Sequence, residues 1–239
     1  MSAMQYKTEL HMHTSPASPC ADLTPREVAD RYISYGYTTV VVTNHYSASV
    51  NDCTGETWEE RVEHYLRDWR ELKEYAGDKL NVLLGCELRF PQNYNDYLVF
   101  GLTEEFLHDH PDLYTSDIAT FSKFARENGL MLIQAHPFRN GIVVVRPEYL
   151  DGIEVFNGHS GHDSRNQIAL AWARQYGLIR TSGSDFHHPH QSGVGGILTN
   201  EPITTIEQLI ATLRGGDYTL ICSGPAAERD GMQDMPAHG

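Results

Sequence analysis

The chain has 239 residues, 40% of them hydrophobic and 21% charged, with a formal net charge of −14; this suits one globular domain and neither a disordered chain nor a membrane protein. No run approaches the roughly 18 apolar residues of a membrane span, and MSAMQYKTEL lacks the apolar core of a signal peptide, so the default expectation is cytoplasmic. The acidic balance argues against broad nucleic-acid binding, which needs a basic face to displace counterions, but leaves a small phosphorylated substrate open because bound cations supply positive charge locally.

Short β-branched runs alternate with helical patterns from end to end, the pattern of α/β architecture with mainly parallel strands. Strands are expected at 7–13, 38–45, 81–89, 96–102, 130–136, 152–156, 179–184 and 218–222. Thr24-Pro25-Arg26-Glu27 reads as a capping box with proline at the first helical position and opens a helix to about Tyr35. Thr57 and Glu60 repeat the signal. The helix after them puts Trp58, Val62, Leu66, Trp69 and Leu72 on one stripe and its charged residues on a solvated face. Further helices are expected at 116–128, at 162–176 and at 205–213, the last ending at Gly215-Gly216. Residues 1–223 form the expected domain, and 224–239, with little hydrophobic periodicity, read as a loose tail. Cys20, Cys53, Cys86 and Cys222 form no CxxC pair, so free thiols are expected.

The chemistry lies in where the histidines and carboxylates fall. His11 and His13 close the first strand, His45 the second, Glu87 sits on the third, His136 closes the fifth, and Asp185 and His187 follow the seventh. In a parallel βα barrel those strand ends converge on one mouth, where active sites are built. A strand's period of two points both imidazoles of His-x-His to one face, so both can grip one cation, and Asp185 with His187 repeats the spacing. A carboxylate such as Glu87 can bridge two cations, and two cations about 3.5–4 Å apart support hydrolysis by trapping a hydroxide between them.

His11-Met12-His13-Thr14, Thr43-Asn44-His45, Gly85-Cys86-Glu87, Ala135-His136-Pro137 and Ser184-Asp185-Phe186-His187 follow the order of the motifs of the PHP (polymerase and histidinol phosphatase) family, which the chain resembles over about residues 7–222. The resemblance implies a distorted (β/α)7 TIM-like barrel, a single domain, holding two or three divalent ions such as zinc, manganese or iron. His11, His13, Glu87 and Asp185 would hold one ion, Glu87 and His136 a second, and His45 with His187 a third. The sequence departs from the family in the loop after His-x-His, where Cys20 stands in place of the usual aspartate; a thiolate there favours zinc, and Asp22 or water is the alternative. Asn95 or Asp96 stands where some relatives carry an additional histidine.

The function implied is a metal-dependent phosphatase acting on small phosphate monoesters, such as histidinol phosphate or a nucleotide, through a metal-bound hydroxide, with Glu87, His136 and Asp185 central to catalysis. Arg139, three residues past His136, offers a planar fork to phosphate oxygens. Arg165, near a helix start, is a second anion-binding candidate, and His159 a third residue for the substrate pocket. Two alternatives stand beside this reading: an amidohydrolase-like reaction at a carbonyl, and a catalytically degenerate metal-binding module.

Overall fold

The capping boxes act where the sequence places them. Thr24 accepts from Glu27 N while the Glu27 carboxylate accepts from Thr24 N, and Thr57 with Glu60 does the same. Residues 5–191 and 193–238 are described by this computed structural model. In chain order the elements are β1 (Tyr6–Glu9), α1 (Pro25–Ser34), β2 (Tyr37–Val42), β3 (His45–Tyr46), α2 (Ala48–Asn51), α3 (Trp58–Ala76), β4 (Asn81–Arg89), β5 (Asp96–Phe100), α4 (Glu104–Asp109), α5 (Ile118–Glu127), β6 (Met131–Gln134), β7 (Gly152–Asn157), α6 (Asn166–Tyr176), β8 (Ile179–Gly183), β9 (Ile197–Thr199), α7 (Ile206–Gly215), β10 (Thr219–Leu220), α8 (Gly224–Asp230) and β11 (Met235–Pro236). Among the described residues no helix is long and apolar enough to cross a membrane.

The strands make one curled sheet in the order β11-β10-β9-β1-β2-β4-β5-β6-β7-β8, with β3 beside β4. Strands β5, β6 and β7 are buried along their whole length, as strands covered on both faces require. Beyond Glu9 the chain runs beside the segment that follows β8. Met12 bridges Phe186 in parallel, Asp185 N donates to His11 O at 2.9 Å, and His13 N donates to Phe186 O at 3.0 Å. Two segments far apart in sequence are thereby locked together at the end of the sheet that carries the histidines.

Several expectations are corrected. β5 runs antiparallel to both β4 and β6. Only residues 90–95 separate β4 from β5, too short a connection for a parallel crossover, which takes a dozen residues or more. Helix α6 begins at Asn166 instead of His162, because Arg165 takes a left-handed backbone, φ 51°, just before it. On α3, Val62, Leu66, Trp69 and Leu72 are buried as expected, but Trp58 is exposed at the helix start and the charged Asp68 is buried. Asp68 turns inward because its Oδ2 accepts from Thr14 Oγ1 at 3.0 Å and Ala17 N at 2.9 Å, pinning the loop after His13. Residues 224–238 are no loose tail: α8 buries Ala226 and Ala227, β11 pairs with β10, and Asp230 Oδ2 accepts from Asn166 Nδ2 at 2.8 Å. Small alanines bury without leaving the pattern of large apolar residues by which a helix is read.

Candidate metal centre

Alternation past β1 sends Leu10 and Met12 into the apolar core and His11 and His13 toward the carboxylates. His11 Nε2 lies 3.3 Å from Glu87 Oε1 and 3.4 Å from Asp185 Oδ1; His13 Nε2 lies 3.5 Å from Glu87 Oε2 and 3.5 Å from Asp185 Oδ1. His136 Nε2 is 3.1 Å from Glu87 Oε1, and His45 Nδ1 is 2.7 Å from Glu87 Oε2. Glu87, on β4, therefore stands among four imidazoles. The ring of His187 stacks on that of His13 with centroids 4.1 Å apart. His136 and Asp185 both hold left-handed backbones, φ 29° and 50°, a strained conformation for residues with a Cβ and one that clusters at functional sites.

The donor set fits divalent cations. His11 Nε2 and His13 Nε2 are buried without a hydrogen-bond partner, which natural interiors rarely tolerate. The opposite ring nitrogens are occupied. His11 Nδ1 meets Glu154 Oε1 at 3.0 Å, and His13 Nδ1 meets Ser18 Oγ at 3.0 Å. Because Ser18 Oγ gives its own proton to Asn44 Oδ1 at 2.9 Å, it accepts from His13 and leaves the Nε2 lone pair facing inward. Among the described residues, four overlapping groups have donor atoms close enough to share an ion: His11, His13 and Asp185; His11, Glu87 and His136; His13, His45 and His187; and His45, Glu87 and Asp96.

Charge is concentrated here. Burial disfavours the charged form of His11, yet Asp185, Glu154 and Glu87 outweigh it and hold the imidazole well above its usual range. Burial and the neighbouring His187 and His45 push His13 well below that range. Burial likewise opposes the ionised forms of Glu87 and Asp185, but the surrounding histidines keep both carboxyls well below the usual carboxylate values.

The residues singled out from sequence are distributed unevenly. Cys20, His45, Glu87, His136, Arg139, His159, Asp185 and His187 all line one mouth of about 330 Å³. His13 completes the close set with His45 and His187, while Cys20 stands at its outer edge. Desolvation raises the Cys20 thiol, but hydrogen bonds to His187 and His45 prevail and bring it down to about 6. Asp22, the alternative to Cys20, is turned instead to His188 Nδ1 at 2.9 Å. His159 Nδ1 accepts from Gly161 N at 3.0 Å, so the neutral ring carries its proton on Nε2. Arg165 stands apart, donating to Phe138 O at 2.9 Å and to Asn140 Oδ1, where it braces the loop bearing Arg139.

Sequence reasoning missed Arg89, whose Nε and Nη2 grip Asp96 at 2.6 and 2.8 Å. Its position two residues past Glu87 on the same strand was the available signal. Arg139 Nη2 also approaches Asp96 Oδ2, at 3.4 Å, so two guanidinium groups flank one carboxylate at the mouth. Asn95 is occupied elsewhere, donating to Val143 O at 2.8 Å. A wider groove of about 610 Å³ along α3 is lined by charges that pair among themselves, such as Arg70 with Glu63, and offers no comparable chemistry.

The PHP domain model matches residues 9–214. No curated protein matches the chain significantly. Among solved structures, a two-domain protein from Bacteroides vulgatus ATCC 8482 containing a predicted PHP-like metal-dependent phosphoesterase superposes with TM-score 0.67 at 17% identity, over 91% of this chain and 64% of that one. PsfC from Pseudomonas syringae PB-5123 gives TM-score 0.65 at 17% identity, over 86% and 88% of the two chains. The lesion-specific endonuclease PfuEndoQ from Pyrococcus furiosus gives 0.62 at 14% identity, over 90% and 57%. The chain thus spans less than two thirds of the Bacteroides and Pyrococcus proteins, and at these identities the likeness is one of fold.

Proposed function

The chain belongs to the PHP domain family, and on that premise we propose that it is a metal-dependent phosphoesterase hydrolysing a small phosphate monoester. The observation that carries the proposal is the convergence of two buried, unpartnered ring nitrogens, His11 Nε2 and His13 Nε2, on the carboxylates of Glu87 and Asp185 in a mouth flanked by arginine. His11, His13, Glu87 and Asp185 would hold one ion, Glu87 and His136 a second, and His45 with His187 a third, with Cys20 biasing that position toward zinc. Zinc, manganese and iron are the candidate metals. When bound, such ions neutralise phosphoryl charge and activate water.

The chain's own residues do the remaining work. Glu87, with Oε1 near His11 and His136 and Oε2 near His13 and His45, would be shared between the first and second positions. Arg139, on the loop after His136, binds phosphoryl oxygens through its planar fork, with Arg89 beside it. His159 directs Nε2–H at an anionic oxygen of the substrate, and Arg165 contributes by steadying Asn140. Arginine at the mouth favours phosphate over a carbonyl substrate, and the net charge of −14 favours a small ester such as histidinol phosphate or a nucleotide over a nucleic-acid strand. We also read the described residues as one barrel domain that includes α8 and β11, whose curl of β1, β2, β4, β5, β6, β7 and β8 is the distorted seven-stranded form, closed at Met12 and Phe186.

The test is a metal-defined screen of purified protein against nucleotides, sugar phosphates, histidinol phosphate, an abasic DNA duplex and a set of amides and lactones. Phosphate release from a monoester that stops on chelation supports the proposal. Turnover confined to carbon-centred substrates or DNA refutes it.

A further inference from the structure

Beneath the cation-binding groups lies a carboxylate that none of the motifs contains. Glu154, on β7, is buried, and its two oxygens serve different site residues. Oε1 accepts from His11 Nδ1 at 3.0 Å, whereas Oε2 accepts from the backbone N–H of His136 at 2.9 Å and from Asn157 Nδ2 at 2.9 Å. Asn157 Nδ2 also donates to Asp185 Oδ2 at 3.1 Å. The orientation of that amide is fixed from its other end, where Oδ1 accepts from His159 N at 3.2 Å and Ser164 Oγ at 3.2 Å.

We propose that Glu154, with Asn157, is a positioning residue that sets His11, His136 and Asp185 together for cation binding, an inference that rests on the metal-dependent reading above. Oε1 fixes the proton of His11 on Nδ1 and frees the Nε2 lone pair. Oε2 holds the His136 amide in its left-handed backbone. Asn157 carries the same support to Asp185, the other site residue with positive φ. Gly183 makes the contact possible: a Cβ there would fall 2.4 Å from His11 Cβ and 2.5 Å from Glu154 Oε1. One carboxylate thus connects residues assigned to two cation positions, and disturbing it should weaken both at once. Loss of a ligand private to one position would not.

Glu154→Gln is isosteric but replaces one of the two acceptor oxygens by an amide donor. Either His11 or the His136 N–H then faces a donor. The experiment is zinc titration of the full chain and its Glu154→Gln variant against a competing chelator, with ¹⁵N NMR of the histidine rings in the zinc-loaded parent. The expected result is zinc on Nε2 of His11 with the proton on Nδ1, and about 10- to 100-fold weaker affinity at two positions in the folded variant, the usual effect of removing a carboxylate behind a ligating histidine. Zinc on Nδ1 of His11 in the parent overturns the inference even if the variant fails to fold. So does a folded variant that binds zinc within twofold of the parent at both positions. Zinc binding as expected without phosphoesterase activity would remove the proposed reaction and leave the positioning role standing; a parent that binds no zinc overturns both.

Discussion

Asp185→Asn separates charge from shape at the centre of the site. The Asp185 Oδ1 atom stands 3.4 Å from His11 Nε2 and 3.5 Å from His13 Nε2, and asparagine keeps an oxygen at that place while removing the negative charge. At an effective dielectric of about 20, a unit charge pair 3.4 Å apart interacts by roughly 5 kcal/mol, between three and four powers of ten in affinity for a proton or cation. Because the amide oxygen still coordinates and neighbouring groups reorganise, we expect zinc affinity to fall by about 10²- to 10³-fold, and phosphoesterase turnover to collapse with it. Competition with a chromophoric chelator on metal-stripped protein measures the affinity, and far-UV circular dichroism shows whether the fold is kept. A folded variant with affinity within threefold of the parent and unchanged turnover would refute the assignment of Asp185.

Other expectations follow from the same geometry. Arg139→Ala should raise KM for a phosphate ester by about tenfold with little change in kcat, if its contact is equal in ground and transition states; steady-state kinetics showing the loss in kcat instead would assign it to the transition state. For the metal-free protein, burial lowers His45, but Glu87 and then Cys20 outweigh it and push its pKa up to about 10, above the unfolded value near 6.5. That stabilisation is complete below about pH 6.5 and is lost as pH rises through about 10; His11 and His187 add to it, His13, shifted the other way, subtracts, and Cys20, brought down to about 6, partly offsets the loss between about pH 6 and 9. The Tm of stripped protein should therefore fall between pH 7 and 10, while zinc-loaded protein, whose imidazoles are held neutral, should not follow it; parallel Tm curves would contradict this. Cys20→Asp should restore a hard oxygen donor and widen the metals accepted beside His45 and His187, read by anomalous scattering at that position; equal manganese occupancy in parent and variant would show that Cys20 does not govern it.

Part of the site was legible because the extended chain just past β1 keeps a period of two, so His11 and His13 share a face; Asp185 and His187 have the same spacing but lie beyond β8, where the left-handed backbone of Asp185, which spacing does not reveal, shapes the turn. Helix starts were legible for a similar reason, since Thr24 with Glu27 and Thr57 with Glu60 are local devices. What escaped notice depends on neighbours that are distant in sequence. Asp68 and Glu154 resemble solvated carboxylates until Thr14, Ala17, His11 and His136 are brought against them. The direction of β5 was a different kind of miss. Its hydrophobic run says nothing of polarity, but the connection spanning 90–95 already excluded a parallel crossover. The packed segment after Gly224 was missed because Ala226 and Ala227 are too small to produce a periodic signal.

A shared cluster is decided by the number of cations that the mouth accepts. Protein prepared without chelators, saturated with zinc or manganese and freed of excess metal, should carry at least two ions per chain by elemental analysis, and Glu87→Gln should reduce that number, since Glu87 lies within reach of His11, His13, His45 and His136 together. A parent chain that holds no more than one ion at saturation would contradict a shared cluster and the hydrolytic chemistry built upon it.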